Sequence, residues 1–320
     1  METREVAEQP PEVLSVHELD LVRATEAAAL ACARLVGRGD QDRVKSLGAS
    51  AMLQALEETA DGARVVLGPR GEGVLSPGSI VGGLDRGDID LGVYPVEGAS
   101  LVARGLPNAI SMIVAGPRAS FPALPAVAYM EKFVVGPGAR GAIDLADGVA
   151  DNLRRVAFAR DARVSDLLVA VLDRPRHQGL IEEVRSAGAR VVSLEDGDIT
   201  AGLLAAADWT GVDAMLGFGG LQEAILAACA VRCLGGDLAC RLWPRNDEER
   251  ILAGEEAERT FGLDDLVPAE IAVAVTGVSG GSLLGPVHYS AGGAETSSLV
   301  MSARRRTVRR ISTRHAIPAA

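Results

Sequence analysis

The chain has 320 residues, of which 48% are hydrophobic and only 3% are aromatic. Its net charge is −11, from 32 basic and 43 acidic residues. An acidic protein has no long-range attraction for nucleic acids or anionic membranes, so neither is expected as a partner. The apolar runs are interrupted by charges well before the roughly 18 residues of a membrane span. The composition predicts a water-soluble α/β protein with a core of Ala, Val, Leu and Ile.

Residues 1–17 are acidic and polar, unlike the basic start of a secretory signal. We expect a disordered leader and a cytoplasmic protein. Apolar residues at helical spacing then predict a helix over Leu19–Val36 that ends at Gly37. A second helix is predicted from about Ser46 to Glu58, and a strand over Ala63–Leu67.

Asp88–Ser100 is the segment that points most directly to a ligand site. Leu91–Val93 is apolar and predicts a buried strand, and Pro95 cannot continue a central strand. We therefore expect the strand to break at Tyr94-Pro95 and to end in a tight turn that contains Gly98.

Strands and helices alternate in the second half of the chain, which predicts parallel βαβ units. The predicted elements are strand Leu167–Leu172, helix Pro175–Ala187, strand Ala189–Leu194, helix Ile199–Ala207, strand Val212–Leu216 and helix Leu221–Leu234. Polar segments follow the three strands, and ligands in open parallel sheets bind beyond the carboxyl ends of strands. These segments are therefore expected to converge. Further strands are predicted at about Ile271–Thr276, Ser297–Met301 and Thr307–Ser312.

An ordered series of motifs resembles the class II fructose-1,6-bisphosphatases, members of the lithium-sensitive, magnesium-dependent sugar and inositol phosphatase superfamily. The resemblance runs from about Leu19 to His315. The matching segments are Gly37-Arg38-Gly39-Asp40, Tyr94-Pro95-Val96-Glu97-Gly98-Ala99 (Asp-Pro-Ile-Glu-Gly-Thr in the family), Tyr129-Met130-Glu131-Lys132, Arg174-Pro175-Arg176-His177, Asp196-Gly197-Asp198 and Gly219-Gly220-Leu221-Gln222-Glu223.

The resemblance implies the layered α/β/α/β/α sandwich of this superfamily. Residues 18–155 would form an N-terminal α+β half with the metal site, and residues 156–320 a C-terminal α/β half with the sugar-phosphate site, together one compact two-lobed unit. The family also implies a homodimer or homotetramer.

The resemblance implies a sugar-phosphate site that this chain retains. Arginine suits the geometry of phosphate, and the arginines recur with aspartates in the family's order. The substrate-binding candidates are Gly98, Ala99, Tyr129, Arg174, Pro175, Arg176, Asp196, Gly197, Asp198 and Gly220. His177 follows the arginine pair, and we expect a structural role for it.

The family's metal ligands are mostly replaced. Glu97 and Glu223 remain, Lys45 and Tyr94 stand where the family has aspartates, and a fifth ligand is either lost at Pro69 or supplied by a shifted Glu72. Magnesium needs hard oxygen ligands, and a lysine cation disfavours a metal nearby. We therefore expect no cofactor, with Mg²⁺ or Mn²⁺ bound only if phosphatase activity survives.

Three hypotheses stay open, and loss of magnesium-dependent phosphatase activity ranks first. The chain could be a sugar-phosphate enzyme with metal-independent chemistry, in which Lys45, Tyr94, Glu97 and Tyr129 supply acid–base groups. It could be a binding or regulatory subunit, with an active paralogue as partner. It could also be a working fructose-1,6-bisphosphatase of carbohydrate metabolism and gluconeogenesis.

Overall fold

The computed structural model describes residues 18–59, 62–69, 73–83, 88–123 and 125–316. The predicted leader, 1–17, lies outside these ranges. The helices are α1 (Glu18–Ala33), α2 (Gln41–Thr59), α3 (Ala99–Arg104), α4 (Val149–Ala159), α5 (Gln178–Ser186), α6 (Asp198–Ala206), α7 (Leu221–Leu234), α8 (Asp247–Ala253) and α9 (Leu263–Leu266). The strands are β1 (Ala63–Leu67), β2 (Ile80–Val81), β3 (Ile89–Glu97), β4 (Ile110–Pro117), β5 (Tyr129–Val135), β6 (Leu168–Leu172), β7 (Arg190–Leu194), β8 (Ala214–Gly220), β9 (Asp237–Leu242), β10 (Thr260–Phe261), β11 (Ala272–Gly277), β12 (His288–Ser290), β13 (Gly293–Ser302) and β14 (Thr307–His315).

Helix α2 begins five residues before the predicted start at Ser46. The reason is a helix cap: the side chain of Asp40 accepts a hydrogen bond from the Arg43 amide, 2.9 Å away. An aspartate in this position satisfies one of the free amides at a helix start. Lys45 therefore lies on the second turn of a helix rather than in the preceding loop.

The first sheet has the strand order β12-β13-β11-β4-β3-β1-β2, with β14 paired to β13. The predicted break of the strand at Tyr94-Pro95 is wrong, because strand β3 continues to Glu97. Pro95 is tolerated because the pairing of β3 with β4 is irregular between Tyr94 and Glu97, so no ladder bond is needed from it. The turn comes only at Gly98, whose φ of 76° favours glycine.

The second sheet has the order β10-β9-β5-β8-β6-β7. Strand β6 is parallel to β7 and to β8, as predicted from the alternating pattern. Strand β5 is antiparallel to β8, so its first residue, Tyr129, pairs with Gly220 at the last position of β8. This register brings the Tyr129 motif to the edge where the parallel strands end.

The order of the layers is given by the helices and strands whose side chains pack in the same hydrophobic core. Helices α1 and α2 cover the outer face of the first sheet, and α4 and α5 cover the outer face of the second. Between the sheets lie α6 and α7, whose many buried alanines allow both sheets to approach closely. The order is helix, sheet, helix, sheet, helix, which confirms the predicted α/β/α/β/α sandwich.

Each sheet takes strands from both sides of position 155. Strand β5 belongs to the second sheet, while β11 pairs with β4 in the first sheet and carries β13 and β14 with it. The division into halves at 155/156 stays a prediction. Within the described ranges, the structure contains no helix that is both long and apolar enough to cross a membrane.

Candidate functional site

A cavity of about 800 Å³ opens where α2, β3, β5, β6, β8 and the first residues of α6 and α7 meet. Twelve of the predicted site residues line it: Lys45, Tyr94, Glu97, Gly98, Ala99, Tyr129, Arg174, Arg176, Asp196, Asp198, Gly220 and Glu223. Pro175 and Gly197 belong to the same segments but are not part of the lining. Glu72 lies outside the described residues. The predicted convergence of the polar strand ends is therefore confirmed.

Glu97, at the end of β3, is buried and fully engaged by helix α6. Its carboxylate accepts hydrogen bonds from the amides of Ile199 (2.5 Å) and Thr200 (2.7 Å) and from the Thr200 hydroxyl (2.5 Å). Burial raises the pKa of Glu97 to about 8, although these three hydrogen bonds act to lower it. The side chain thus ties the first sheet to the start of a helix that lies between the sheets.

Asp196 connects three segments of the cavity wall. It accepts hydrogen bonds from the Arg174 guanidinium at 3.3 Å, from the Gly197 amide at 3.0 Å and from the Ser100 hydroxyl. Ser100 follows the Gly98 turn, so this contact joins the turn to the arginine segment after β6. Arg174 is held in place while part of its guanidinium stays accessible.

Asp198 forms an ion pair with Lys132, which the sequence predictions did not include as a site residue. The Lys132 side chain is only 1% exposed and is not part of the cavity lining. A Cβ atom at Gly219 would overlap with the Asp198 carboxylate, so this close approach requires glycine. The signal was present in strand β5, where Lys132 alternates with Met130 and Val134 on the face that points to the core.

Arg176 lies on an aromatic surface at the rim of the cavity. Its guanidinium is 5.1 Å from the centroid of the Tyr129 ring, and its Nε donates to the Phe218 carbonyl at 3.0 Å. Arg245, which sequence reasoning missed, lies 5.1 Å from the same ring. Stacking of this kind fixes a guanidinium without neutralising its charge, which leaves Arg176 able to bind an anion.

His177 has the predicted structural role. The buried ring donates from Nδ1 to the Leu172 carbonyl, 2.7 Å away, and accepts at Nε2 from the Phe218 amide, 2.8 Å away. Burial lowers the pKa of His177, which keeps the ring neutral in this arrangement. It links the end of β6, which leads into the segment with Arg174 and Arg176, to β8.

The positions that hold metals in the family have a different chemistry in this chain. The Tyr94 hydroxyl donates to Glu223 Oε1 at 3.2 Å, and Lys45 is exposed on α2 without an ion-pair partner among the described residues. Burial and the charges of Glu223 and Glu97 raise the pKa of Tyr94 above its usual range, so the phenol stays neutral. No three His, Cys, Asp or Glu side chains are grouped to hold a metal ion in the described part of the chain.

The layered sandwich, with a cavity of arginines and carboxylates at the strand ends, defines an α/β protein of the sugar-phosphatase type. The family model "Bacterial fructose-1,6-bisphosphatase, glpX-encoded" matches residues 15–315, and the chain belongs to this family. It is 35% identical over 318 residues to fructose-1,6-bisphosphatase 1 class 2 of Escherichia coli strain K12, covering 93% of this chain and 94% of that protein. The class 2 enzyme of Shigella flexneri gives the same identity and coverage.

Proposed function

We propose that this chain binds a sugar phosphate and lacks the magnesium-dependent phosphatase centre of its family. One observation carries the proposal: the carboxylate of Glu97, a metal position in the family, is engaged by the protein itself through both of its oxygens. Both oxygens of Glu97 accept hydrogen bonds from α6, and Glu223 accepts from Tyr94. Three of the roughly four acceptor sites of the Glu97 carboxylate are thus used by buried hydrogen bonds, which disfavours metal binding there.

The residues at these positions do not fit a cluster of magnesium ions. Lys45 and Tyr94 add a cation and a neutral ring where carboxylates are needed. At an effective dielectric of 20, a lysine about 4 Å from a divalent ion opposes it by several kcal/mol. No step of a mechanism is therefore assigned to a metal.

The opposite wall of the cavity supports phosphate binding. Arg174 and Arg176 present their guanidinium groups to the cavity beside Tyr129, and both are partly or fully exposed. Their present hydrogen-bond partners are the Asp196 carboxylate and the carbonyls of Asp173 and Phe218, so part of their hydrogen-bonding capacity is unused. Guanidinium groups bind phosphate through charge-assisted, often bidentate hydrogen bonds.

The proposal has two forms, which differ in whether the bound sugar phosphate undergoes a reaction. A metal-independent enzyme would use Lys45, Tyr94 and Tyr129 as acid–base groups, whereas a binding or regulatory subunit would use none. The engagement of Glu97 by α6 favours a structural role for that residue over a general base. Assembly as a homodimer or homotetramer, a cytoplasmic location and an active paralogue stay predictions.

Sugar phosphates are expected to raise the melting temperature of the purified chain in EDTA. Replacing Arg174 or Arg176 by Met should weaken this binding by about 10- to 100-fold, since each loses a charge-assisted hydrogen bond. Arg154→Met is a matched control, because Arg154 is exposed on α4 and its ion-pair partner among the described residues is the exposed Asp151. Thermal-shift titration followed by calorimetry measures the effect.

A phosphate-release assay with fructose 1,6-bisphosphate and added Mg²⁺ or Mn²⁺ tests the second half of the proposal. We expect no metal-dependent turnover above background. Robust turnover would favour the alternative function, a working fructose-1,6-bisphosphatase. If no sugar phosphate shifts the melting temperature, the binding half of the proposal is wrong.

A further inference from the structure

Two buried carboxylate oxygens at the cavity have no hydrogen-bond partner in the described structure. They are Oδ1 of Asp198 and Oε2 of Glu223, and both residues line the cavity. Their carboxylates rest on consecutive glycines of β8: a Cβ at Gly219 would overlap with Asp198, and a Cβ at Gly220 would overlap with Glu223. Both groups border the same cavity.

The two carboxylates differ in how their charge is balanced. Asp198 has the ammonium group of Lys132 as a buried counter-ion. Glu223 has only the Tyr94 hydroxyl at 3.2 Å, a neutral donor, and no salt bridge to any described residue. A carboxylate that is partly removed from water needs a positive partner or several donors, and Glu223 has one donor.

Within the described part of the chain, none of the other cations that line the cavity forms an ion pair with Glu223. Arg174 pairs with Asp196, and Arg176 is held by the Phe218 carbonyl and the Tyr129 ring. Lys45 lines the cavity, but it is exposed on α2 and makes no ion pair with Glu223. The start of α7 contributes only a fractional positive charge. Among the described residues, Glu223 thus has a neutral hydroxyl and no cation as its side-chain partner.

We propose that the ligand is a phosphorylated amino sugar, whose ammonium group binds Glu223 beside the Tyr94 hydroxyl. A sugar hydroxyl would donate to Asp198 Oδ1, and the phosphate would bind Arg174 and Arg176. An ammonium group has three donors and a single positive charge, which suits one free carboxylate. A magnesium ion needs more carboxylate ligands than this wall offers. The inference rests on the proposed sugar-phosphate function and narrows its ligand class.

The test compares matched pairs of ligands in EDTA by calorimetry. Glucosamine 6-phosphate is set against glucose 6-phosphate, and glucosamine 1-phosphate against glucose 1-phosphate, because the structure does not fix which carbon carries the phosphate. We expect the amino member of at least one pair to bind about tenfold more tightly, as a charge-assisted hydrogen bond allows. N-Acetylglucosamine 6-phosphate lacks the charge and should lose the advantage.

Two variants test whether Glu223 causes the tighter binding of the amino sugar phosphate. Glu223→Gln should remove the preference for the amino sugar. Asp42→Asn changes the net charge by the same amount at an exposed residue of the same cavity, and it should retain the preference. Equal affinities within both pairs would overturn the inference and leave the proposed function standing. A preference that persists in Glu223→Gln would also overturn it, and no binding of any of the four ligands would overturn both proposals.

Discussion

Restoring two aspartates, by Lys45→Asp together with Tyr94→Asp, is expected to raise the affinity for Mn²⁺ by at least about 1,000-fold. The double variant removes a cation and adds two carboxylates at a cavity that already contains Glu223. A unit charge about 4 Å away contributes about 4 kcal/mol at an effective dielectric of 20, and a divalent ion feels more. Lys45→Asp replaces a cation by an anion, and Tyr94→Asp replaces a neutral group by an anion, so both substitutions favour a divalent cation.

Isothermal titration with Mn²⁺ measures the affinity, and phosphate release from fructose 1,6-bisphosphate measures any recovered hydrolysis. The matched control is Lys45→Met with Tyr94→Phe, which removes the ammonium group and the hydroxyl without adding carboxylates. If the wild type binds Mn²⁺ as tightly as the aspartate variant, the metal centre is intact and our proposal is wrong. Tyr94 is partly buried, so the variants are first checked for an unchanged unfolding midpoint.

Glu97→Ala is expected to lower the free energy of unfolding by about 3 to 5 kcal/mol. The substitution leaves the Ile199 amide, the Thr200 amide and the Thr200 hydroxyl without their acceptor in the interior. Each buried donor without a partner costs about 1–3 kcal/mol. The Glu97 side chain also caps the first turn of α6 through these amide contacts. Urea denaturation followed by circular dichroism gives the difference directly.

Glu195→Ala is the control for this variant. Glu195 is also a glutamate beside the cavity segments, but it is half exposed and its partner is the exposed Arg104. Exposed ion pairs contribute about 0–1 kcal/mol, so this variant should stay close to the wild type. A loss of under 1 kcal/mol in Glu97→Ala would show that the hydrogen bonds to α6 do not stabilise the fold. Glu97 would then return as a candidate general base.

The sequence by itself predicted the layered fold, through its resemblance to a family, and it predicted which polar segments meet at the cavity. Periodicity located α1, β1 and α7 within a few residues, because each has a continuous apolar face or run. The polar segments at the ends of β6, β7 and β8 had to meet, because parallel strands end at the same edge of a sheet. The order of motifs then supplied the family, which the comparison confirms.

Only the tertiary structure decided what each side chain at the site contacts. Strand β3 passes through Pro95 because the pairing partner beside it shifts register, which no local pattern encodes. Lys132 is the counter-ion of Asp198, which lies 66 positions later in the chain. The Asp198 carboxylate packs against Gly219 and contacts the Lys132 ammonium group. The Glu97 side chain accepts hydrogen bonds from the first turn of α6, about a hundred residues away along the chain. Each of these contacts depends on how separate elements pack, because hydrogen bonds and charges act over a few ångströms in space, whatever the distance along the chain.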